Sequence, residues 1–303
     1  MIRRPRHAAG ALALGAAAAL SLSACGSDSL SDAGSGSSSS SVPSATAQSG
    51  LAGKLPAKVQ TAKKIVVGTD ASYAPSEFLA ADGKTVQGFD VDLFKAVGQK
   101  FGVDVQFVSS NFDSIITGVG TGKYDVGVSS FTINPERKKQ ANMVSYYQAG
   151  TQWATQKGNP KKVDPANACG LTIAVQTATV QAEEDLPKRQ ADCKKAGKPG
   201  IKVQSYTGQD EATAAVGSKK ADAMLADSPV AAYAVKQTKG TLELLGDVYD
   251  SAPYGYVLPK NETEFAAAVV EALKALKTDG TYEKVLKNWG VESGAIDSFA
   301  VNP

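Results

Sequence analysis

The stretch GFDVDLFKAVGQKFGVDVQFV, residues 88–108, contains the two hydrophobic periods on which the fold prediction depends. From Phe89 to Phe101 the apolar residues recur at intervals of about four, which is the spacing of one face of an α-helix. Gly102 ends the predicted helix, because glycine readily adopts the left-handed backbone that follows many helices. Residues 103–108 then alternate between apolar and polar side chains, as a half-buried strand does. The stretch therefore predicts a helix followed by a strand.

The same succession of strands and helices extends in both directions along the chain. Residues 65–67 predict a strand before this helix, and residues 112–119 and 125–129 predict a helix and a strand after it. This β-α-β-α-β order is typical of an α/β unit on a largely parallel sheet. A second unit of similar size follows: strands at 171–175 and 221–225, helices at 180–186 and 229–237, and finally a strand at 254–258 with helices at 265–276 and 282–289.

Two such units predict two lobes, between which the chain passes near residues 147–153 and 249–254. If the last helices return to the first unit, both segments cross between the lobes and border a cleft, which is a preferred position for a ligand. Periodicity alone leaves that return open. The predicted fold class is thus α/β with two lobes, with residues 55–149 and 252–303 in lobe 1 and residues 150–251 in lobe 2.

The first 24 residues have the pattern of an export signal. Three arginines precede an Ala- and Leu-rich apolar run at residues 8–22, which is shorter than the roughly 20 residues of a membrane-spanning helix. The run ends in LSAC, residues 22–25, which resembles the lipobox of bacterial lipoproteins. We predict lipidation of Cys25 after removal of residues 1–24. Cleavage by the ordinary signal peptidase is the alternative, and the export route, Sec or twin-arginine, stays open.

Residues 25–54 are rich in glycine and serine and nearly lack large apolar side chains. Such a segment buries too little surface to fold, so it is predicted to be a flexible tether. A lipid anchor and a tether together predict a domain held at the cell membrane on its extracytoplasmic side.

Charge and residue usage argue against several classes of function. Removal of the leader takes away three arginines and no acid, so the formal charge falls from +2 to −1 and we expect no nucleic-acid partner. The single histidine, His7, leaves with the leader, which excludes histidine-dependent catalysis and histidine-ligated metals from the mature chain. We expect no metal and no cofactor. Cys169 and Cys193 remain as an even pair in an exported chain and are predicted to form a disulfide.

The stretch SSFTINPERKK, residues 129–139, allows two interpretations. Asn134 and Pro135 are suited to the start of a helix, in which case Arg137 is one more solvated charge. Alternatively the segment holds an anion, because a planar guanidinium binds a carboxylate through two hydrogen bonds and the neighbouring hydroxyls complete the site. These residues alone do not decide between the two interpretations.

Six stretches resemble, in the same order, motifs of the polar amino-acid-binding family of bacterial ABC-transporter solute-binding proteins. The resemblance spans nearly all of the predicted mature domain and implies two α/β lobes that are joined by two crossing segments and close on an amino acid. It also implies that the C-terminal helices return to the first lobe. The stretches are GTDASYAPSEF (68–78), GFDVDLFKAVGQKF (88–101), SSFTINPERKK (129–139), VQTATVQAEED (175–185), ADAMLADSPVAAY (221–233) and KTDGTYEKVLKNWG (277–290).

The resemblance also implies roles for individual residues. Arg137 matches the arginine that pairs with the ligand α-carboxylate, and Asp227 matches the aspartate that pairs with the α-ammonium group. Asp70 matches a position that often meets the far end of a polar ligand side chain. Ser76 stands where the family usually has an aromatic residue, and Val180 stands where several members have threonine or glycine. The predicted ligand-binding residues are Asp70, Tyr73, Phe112, Ser129, Ser130, Thr132, Arg137, Gln176, Thr179 and Asp227.

Structural alternatives exist for four of these residues. Asp227 and Asp70 are each suited to capping the segment that follows them, and Tyr73 and Phe112 are suited to an ordinary core.

Two residues bear on which amino acid is bound. Asp70, with no lysine near it in the sequence, and Gln176 favour a cationic or amide ligand side chain over an acidic one.

The function that the resemblance implies is that of a non-enzymatic receptor. It captures a free polar amino acid and delivers it to the membrane permease of an ABC transporter, and we expect it to be a monomer. The alternatives are a dehydratase-like enzyme on the same fold, with Asp70 or Glu77 as its acid, and a ligand sensor without a transport role.

Overall fold

The computed structural model describes residues 44–303. The predicted signal peptide (residues 1–24) and Cys25 lie outside the described residues. The helices are α1 (Ala57–Ala62), α2 (Phe89–Phe101), α3 (Phe112–Gly120), α4 (Pro135–Gln140), α5 (Leu186–Lys195), α6 (Gln209–Gly217), α7 (Ser228–Gln237), α8 (Thr263–Thr278) and α9 (Thr281–Trp289), with short 3-10 turns at Ala52–Lys54 and Glu292–Gly294 and a π-helical turn at Gln181–Asp185.

The strands form one eight-stranded sheet in the order β5-β1-β6-β11-β7-β10-β8-β9 and one small sheet in the order β2-β3-β4. Their bounds are β1 (Lys64–Thr69), β2 (Ser72–Tyr73), β3 (Glu77–Leu79), β4 (Val86–Gln87), β5 (Asp104–Ser109), β6 (Val126–Gly127), β7 (Ala141–Gln156), β8 (Thr172–Gln176), β9 (Lys202–Tyr206), β10 (Ala223–Asp227) and β11 (Leu242–Pro259).

Two groups of parallel strands flank a central antiparallel pair. On one side β1 pairs in parallel with β5 and β6, and on the other side β8 pairs in parallel with β9 and β10. The central pair, β7 and β11, is 16 and 18 residues long and pairs along nearly its whole length. We call the part with β1, β5 and β6 the first lobe and the part with β8, β9 and β10 the second lobe, and β7 and β11 run through both.

The pairing of β7 with β11 becomes irregular where the two strands pass between the lobes. The register shifts between Leu245 and Tyr249 and again between Tyr249 and Ala252, and such irregularities bend and twist a strand pair. Gly150 lies at this point, where a Cβ atom would approach the carbonyl oxygen of Tyr249 to 2.5 Å. Only glycine therefore allows the two backbones to approach this closely.

The C-terminal helices return to the first lobe, as the resemblance implied. Phe265 of α8 contacts Phe101 of α2 with 6.2 Å between ring centroids, and both belong to one buried apolar cluster together with Leu286 of α9. The second lobe has separate apolar clusters, one of them around Trp153. Each lobe is thus stabilised by its own core, and the two long strands connect them.

The predicted elements are largely present, but some differ in extent and others were not predicted. Residues 180–186 form a π-helical turn that leads into α5 rather than one short helix. The predicted strand at 254–258 is the end of the much longer β11. The elements that were not predicted are α1, α6, β7, β9 and the small sheet β2-β3-β4. Cys193 of α5 forms the predicted disulfide with Cys169, with 5.6 Å between their Cα atoms.

The end of the predicted tether needs a correction. Leu51, within the segment expected to be flexible, is 2 % exposed and belongs to the core of the first lobe. The backbone N–H of Gln48 donates to the carbonyl of Lys100. Apolar burial of this one leucine outweighs the local Gly- and Ser-rich composition, so the folded domain begins before residue 55.

Among residues 44–303, no helix combines the length and the apolar character that crossing a membrane requires.

Candidate functional site

Nine of the ten predicted ligand-binding residues line a cleft between the two lobes. The gaps between their side chains add up to about 230 Å³, part of it open to solvent. The lining residues are Tyr73, Phe112, Ser129, Ser130, Thr132 and Arg137 from the first lobe and Gln176, Thr179, Val180, Gln181 and Asp227 from the second. Asp70 is the predicted residue that does not line the cleft.

The segment around Arg137 starts a helix, as the first interpretation predicts, but Arg137 is not the solvated charge of that interpretation. Its binding of an anion stays a prediction. Asn134 caps α4 by accepting the backbone N–H of Arg137 at 2.9 Å, yet the Arg137 side chain is buried, at 7 % exposure. Its guanidinium donates to the carbonyls of Thr132 (2.8 Å) and Ala178 (2.9 Å). The α4 helix is short and lies at the cleft. Its capped start therefore leaves the Arg137 side chain in the cleft rather than in solvent.

The Arg137 guanidinium lies beside a stacked pair of aromatic rings and has no acidic ion-pair partner among the described residues. It lies 5.5 Å from the ring centroids of Phe112 and of Phe131, which are themselves stacked at 4.5 Å. Within residues 44–303 no carboxylate forms an ion pair with it. Burial lowers the pKa of Arg137, and the carboxylate of Asp227 opposes that shift. The side chain is therefore a buried cation with donors directed at the cleft.

Asp227 ends β10 and precedes α7, and its side chain does not cap that helix. It accepts hydrogen bonds from the Tyr254 hydroxyl (2.7 Å) and from Gln181 Nε2 (2.8 Å) instead. Burial raises the pKa of Asp227, and these hydrogen bonds oppose the rise. The simple capping alternative is therefore wrong for this side chain, which lies at the cleft with 6 % exposure.

Ser129 and Ser130 follow β6 and form the base of the cleft on the first lobe. Ser130 has a φ of +50°, a left-handed backbone that few non-glycine residues adopt. Its N–H and hydroxyl both donate to Asp90 Oδ2, and the Ser129 hydroxyl donates to Glu77 Oε1. On the second lobe the Thr179 hydroxyl donates to the carbonyl of Gln176. These hydroxyl protons are committed, so the oxygens face the cleft as acceptors.

Asp70 of the first lobe lies behind the cleft and contacts Gln176 of the second lobe. Gln176 Nε2 donates to Asp70 Oδ2 (2.8 Å) and to the carbonyl of Thr207 (2.9 Å). Two acceptors on that nitrogen fix the orientation of the amide. Gln176 Oε1 is then buried without a donor among the described residues. Burial raises the pKa of Asp70, which also accepts the N–H of Ser72 and so has the capping contact that the alternative interpretation proposed.

The two aromatic residues differ in what they contact. Tyr73 accepts the backbone N–H of Asp227 with its hydroxyl at 3.3 Å, so it connects the lobes. Phe112 stacks on Phe131 and its backbone N–H donates to Asp70 at 3.1 Å. Both rings line the cleft as well as the core at its edge.

Further hydrogen bonds connect the lobes around the cleft. Asn134 Nδ2 donates to Glu184 Oε1 at 2.8 Å, and the N–H of Gln209 donates to the Ser72 hydroxyl at 3.0 Å. Together with the contacts of Arg137, Asp70 and Tyr73, they place the two lobes in a closed arrangement.

Sequence reasoning missed several residues of this site. Gln181 and Tyr254, which hold Asp227, were not predicted; Gln181 is in the same second-lobe stretch as Thr179, which is the one signal that pointed to it. Asp90 was quoted only as part of a helix, although it is buried directly below the cleft.

A two-lobed α/β fold with a closing cleft of this kind is the architecture of a ligand-binding receptor. The profile of the bacterial extracellular solute-binding proteins, family 3, matches residues 65–292, and the chain belongs to that family.

Three known proteins are especially similar to this chain. The arginine-binding protein ArgT of Corynebacterium glutamicum is 34% identical over 261 residues, which cover 86% of this chain and 81% of that protein. An ancestral arginine-binding protein bound to arginine aligns with a TM-score of 0.69 at 33% identity over 75% of this chain and 98% of its own, and its complex with glutamine aligns equally well over 76% and 99%. The ancestral amino acid-binding protein AncCDT-1, described as a precursor of cyclohexadienyl dehydratase, aligns with a TM-score of 0.66 at 34% identity over 77% and 97%.

Proposed function

We propose that this solute-binding protein captures a free amino acid in the cleft between its lobes. The observation that carries the proposal is the pair of opposite charges, Arg137 and Asp227, buried at one cleft and each without an ion-pair partner among the described residues. A zwitterion supplies a carboxylate to the first and an ammonium group to the second. Each buried charge is then compensated, which a neutral or singly charged ligand does not achieve.

The Arg137 fork binds the α-carboxylate, supported by Thr132 and the loop at Thr179, whereas the hydroxyl oxygens of Ser129 and Ser130, as acceptors, suit the α-ammonium group. Asp227 binds the α-ammonium group, and Tyr254 and Gln181 hold its carboxylate in place. Phe112 and Tyr73 cover the ligand side chain from the first lobe.

The far end of the ligand carries N–H donors in this proposal. Gln176 Oε1 is a buried acceptor without a donor in residues 44–303, and Asp70 lies beside it. With Arg137, Asp227 and Asp70 ionised, the site carries one net negative charge, which a cationic side chain neutralises. We therefore propose a basic amino acid such as arginine as the ligand, with an amide such as glutamine as the second choice. The ligands named for ArgT and for the ancestral arginine-binding protein support both.

The test is a calorimetric titration of the protein, stripped of bound ligand by refolding, with the twenty amino acids plus ornithine and citrulline. Selective binding of arginine, lysine or ornithine supports the proposal. A protein that is folded by circular dichroism and binds none of them contradicts it.

The cellular setting is proposed from the same family membership. The protein delivers its ligand to the permease of an ABC importer and acts as a monomer, held at the cell membrane by lipid on Cys25 through the segment after it. The predicted boundaries between the lobes, at residues 149/150 and 251/252, belong to this proposal too. Metabolic labelling with a fatty acid, with Cys25→Ser as the control, tests the anchor.

The role proposed is binding without turnover. AncCDT-1 is named as a precursor of a dehydratase, so a direct test is incubation of the protein with a cyclohexadienyl substrate. We expect no product above the rate of the uncatalysed reaction.

A further inference from the structure

Two carboxyl groups, Glu77 of β3 and Asp90 of α2, lie below the cleft and are both fully buried. Glu77 Oε1 accepts the Ser129 hydroxyl at 3.0 Å. Asp90 Oδ2 accepts the N–H of Ser130 (3.0 Å), its hydroxyl (3.2 Å) and the Tyr146 hydroxyl (2.6 Å). Each carboxyl therefore uses one oxygen to hold a serine of the cleft.

The other oxygen of each carboxyl, Glu77 Oε2 and Asp90 Oδ1, is buried and has no donor among the described residues. The two side chains are within hydrogen-bonding contact of each other. Two ionised carboxylates in such contact, without a cation, repel each other strongly in a medium of low polarity. A single proton between the two free oxygens removes one charge and gives both a partner.

The proton belongs on Glu77. Asp90 Oδ2 receives three hydrogen bonds that stabilise its charge, whereas Glu77 receives one. Burial raises the pKa of both carboxyls, that of Glu77 well above its ordinary value. The titratable groups that face the pair are Asp70, Tyr73, Tyr146, Tyr147 and Tyr256; none of these is a cation, and burial raises the pKa of each.

We propose that Glu77 and Asp90 share one proton and act as positioning residues that hold Ser129 and Ser130 in place at the base of the ligand-binding cleft. The positioning role rests on the proposed function, because it concerns ligand binding. The shared proton does not depend on that function. The Ser129 hydroxyl also accepts the N–H of Asp70 at 3.0 Å. Through Ser129 the carboxyl pair therefore also positions the backbone of Asp70. It also holds Ser130 in its left-handed backbone, which the surrounding contacts must stabilise.

Glu77→Gln is the decisive variant, because its amide donates to Asp90 through Nε2 and accepts from Ser129 through Oε1 without needing a proton. We expect it to bind arginine within about twofold of wild type. Glu77→Leu removes both contacts, and we expect at least tenfold weaker binding, in line with the loss of a hydrogen bond to a charged group. Glu264→Gln, on the exposed surface of α8, is the matched control and should change nothing.

The proposal that Glu77 and Asp90 share a proton is tested in the absence of ligand. A carboxyl whose pKa is raised on folding contributes stability below its unfolded pKa, and this stability is lost as the pH rises toward its folded pKa. The urea midpoint of wild type should therefore fall relative to that of Glu77→Gln between pH 5 and pH 9. The carboxyl ¹³C resonances of glutamate-labelled wild type should include one that remains protonated at pH 7.

Parallel midpoint curves, or the absence of a protonated glutamate at pH 7, overturn the shared proton. Equal loss of arginine binding in Glu77→Gln and Glu77→Leu overturns the positioning role. If wild type binds no amino acid, the proposed function fails, whereas the midpoint curves and the ¹³C signal still decide whether the proton is shared.

Discussion

At the scale of the residue, the two charges Arg137 and Asp227 determine what the cleft can bind. Each is buried and held by neutral groups from both lobes, Arg137 by carbonyl oxygens and Asp227 by Tyr254 and Gln181. A buried charge held only by neutral dipoles is stabilised incompletely. The site is therefore arranged to gain a favourable interaction when a ligand of opposite charge arrives at each position.

Replacing Arg137 by lysine keeps the positive charge but removes the fork. A lysine cannot reproduce two parallel hydrogen bonds to a carboxylate or the contact of a flat guanidinium with the rings of Phe112 and Phe131. We expect arginine affinity to fall by roughly 10- to 100-fold, the loss of one or two charge-assisted hydrogen bonds, and Arg137→Ala and Asp227→Ala each to abolish binding. Calorimetric titration measures this, with the exposed Lys139→Ala as control. Near-native affinity in Arg137→Ala would exclude its assigned role.

Asp70 is expected to control the choice between cationic and amide ligands through its protonation. A cationic ligand needs the ionised carboxylate, so arginine affinity should fall as the pH drops through the raised pKa of Asp70. Glutamine affinity should be less sensitive, because the protonated form suits a neutral ligand. Asp70→Asn should then weaken arginine by about tenfold more than glutamine, as the loss of a charge-assisted interaction. Equal effects on both ligands would show that Asp70 acts only on the fold.

At the scale of the element, sequence reasoning succeeded best for elements with a clear hydrophobic period. The α2 helix and the β1 and β5 strands have clear periods, and their bounds match the prediction closely. The β7 strand is buried on both faces for nearly all of its length, so it shows no alternation and was not recognised as a strand. The β9 strand was missed for the opposite reason, because none of its residues is fully buried.

In the candidate site, too, local motifs identified single residues but not the contacts between residues that are far apart in the sequence. The motifs around Arg137 and Asp227 named both residues correctly as members of the cleft. The contact between Asp70 and Gln176 joins residues 106 positions apart, and the Glu77–Asp90 pair depends on how β3 packs on α2. Neither contact has a sequence pattern, because both depend on the tertiary packing of separate elements.

The disulfide between Cys169 and α5 is expected to stabilise the second lobe without affecting the ligand. It closes a loop with a sequence separation of 24, for which chain entropy predicts about 3 kcal/mol of stability. The double variant Cys169→Ser/Cys193→Ser should lower the free energy of unfolding by about that amount, measured by urea denaturation, and keep its arginine affinity. Loss of affinity at unchanged stability would mean that the disulfide positions the cleft.

At the scale of the whole molecule, closure of the lobes is supported by contacts outside the ligand site. The two long strands bend where Gly150 passes Tyr249, while Asn134–Glu184 and Ser72–Gln209 join the lobes at the edge of the cleft. Contacts present only when the lobes meet favour the closed state and thereby slow release of the ligand.

Glu184 allows this to be measured, because its neighbour Glu183 provides a matched control. Both carboxylates raise the pKa of Arg137 through their charge, but only Glu184 accepts the hydrogen bond from Asn134, at 2.8 Å. Glu184→Ala should therefore increase the dissociation rate of arginine by about 2- to 10-fold, the worth of one exposed hydrogen bond, with little change in the association rate. Glu183→Ala removes the same charge and should change the dissociation rate much less. Stopped-flow displacement distinguishes the two, and equal effects of both variants would assign the change to charge at the cleft rather than to closure of the lobes.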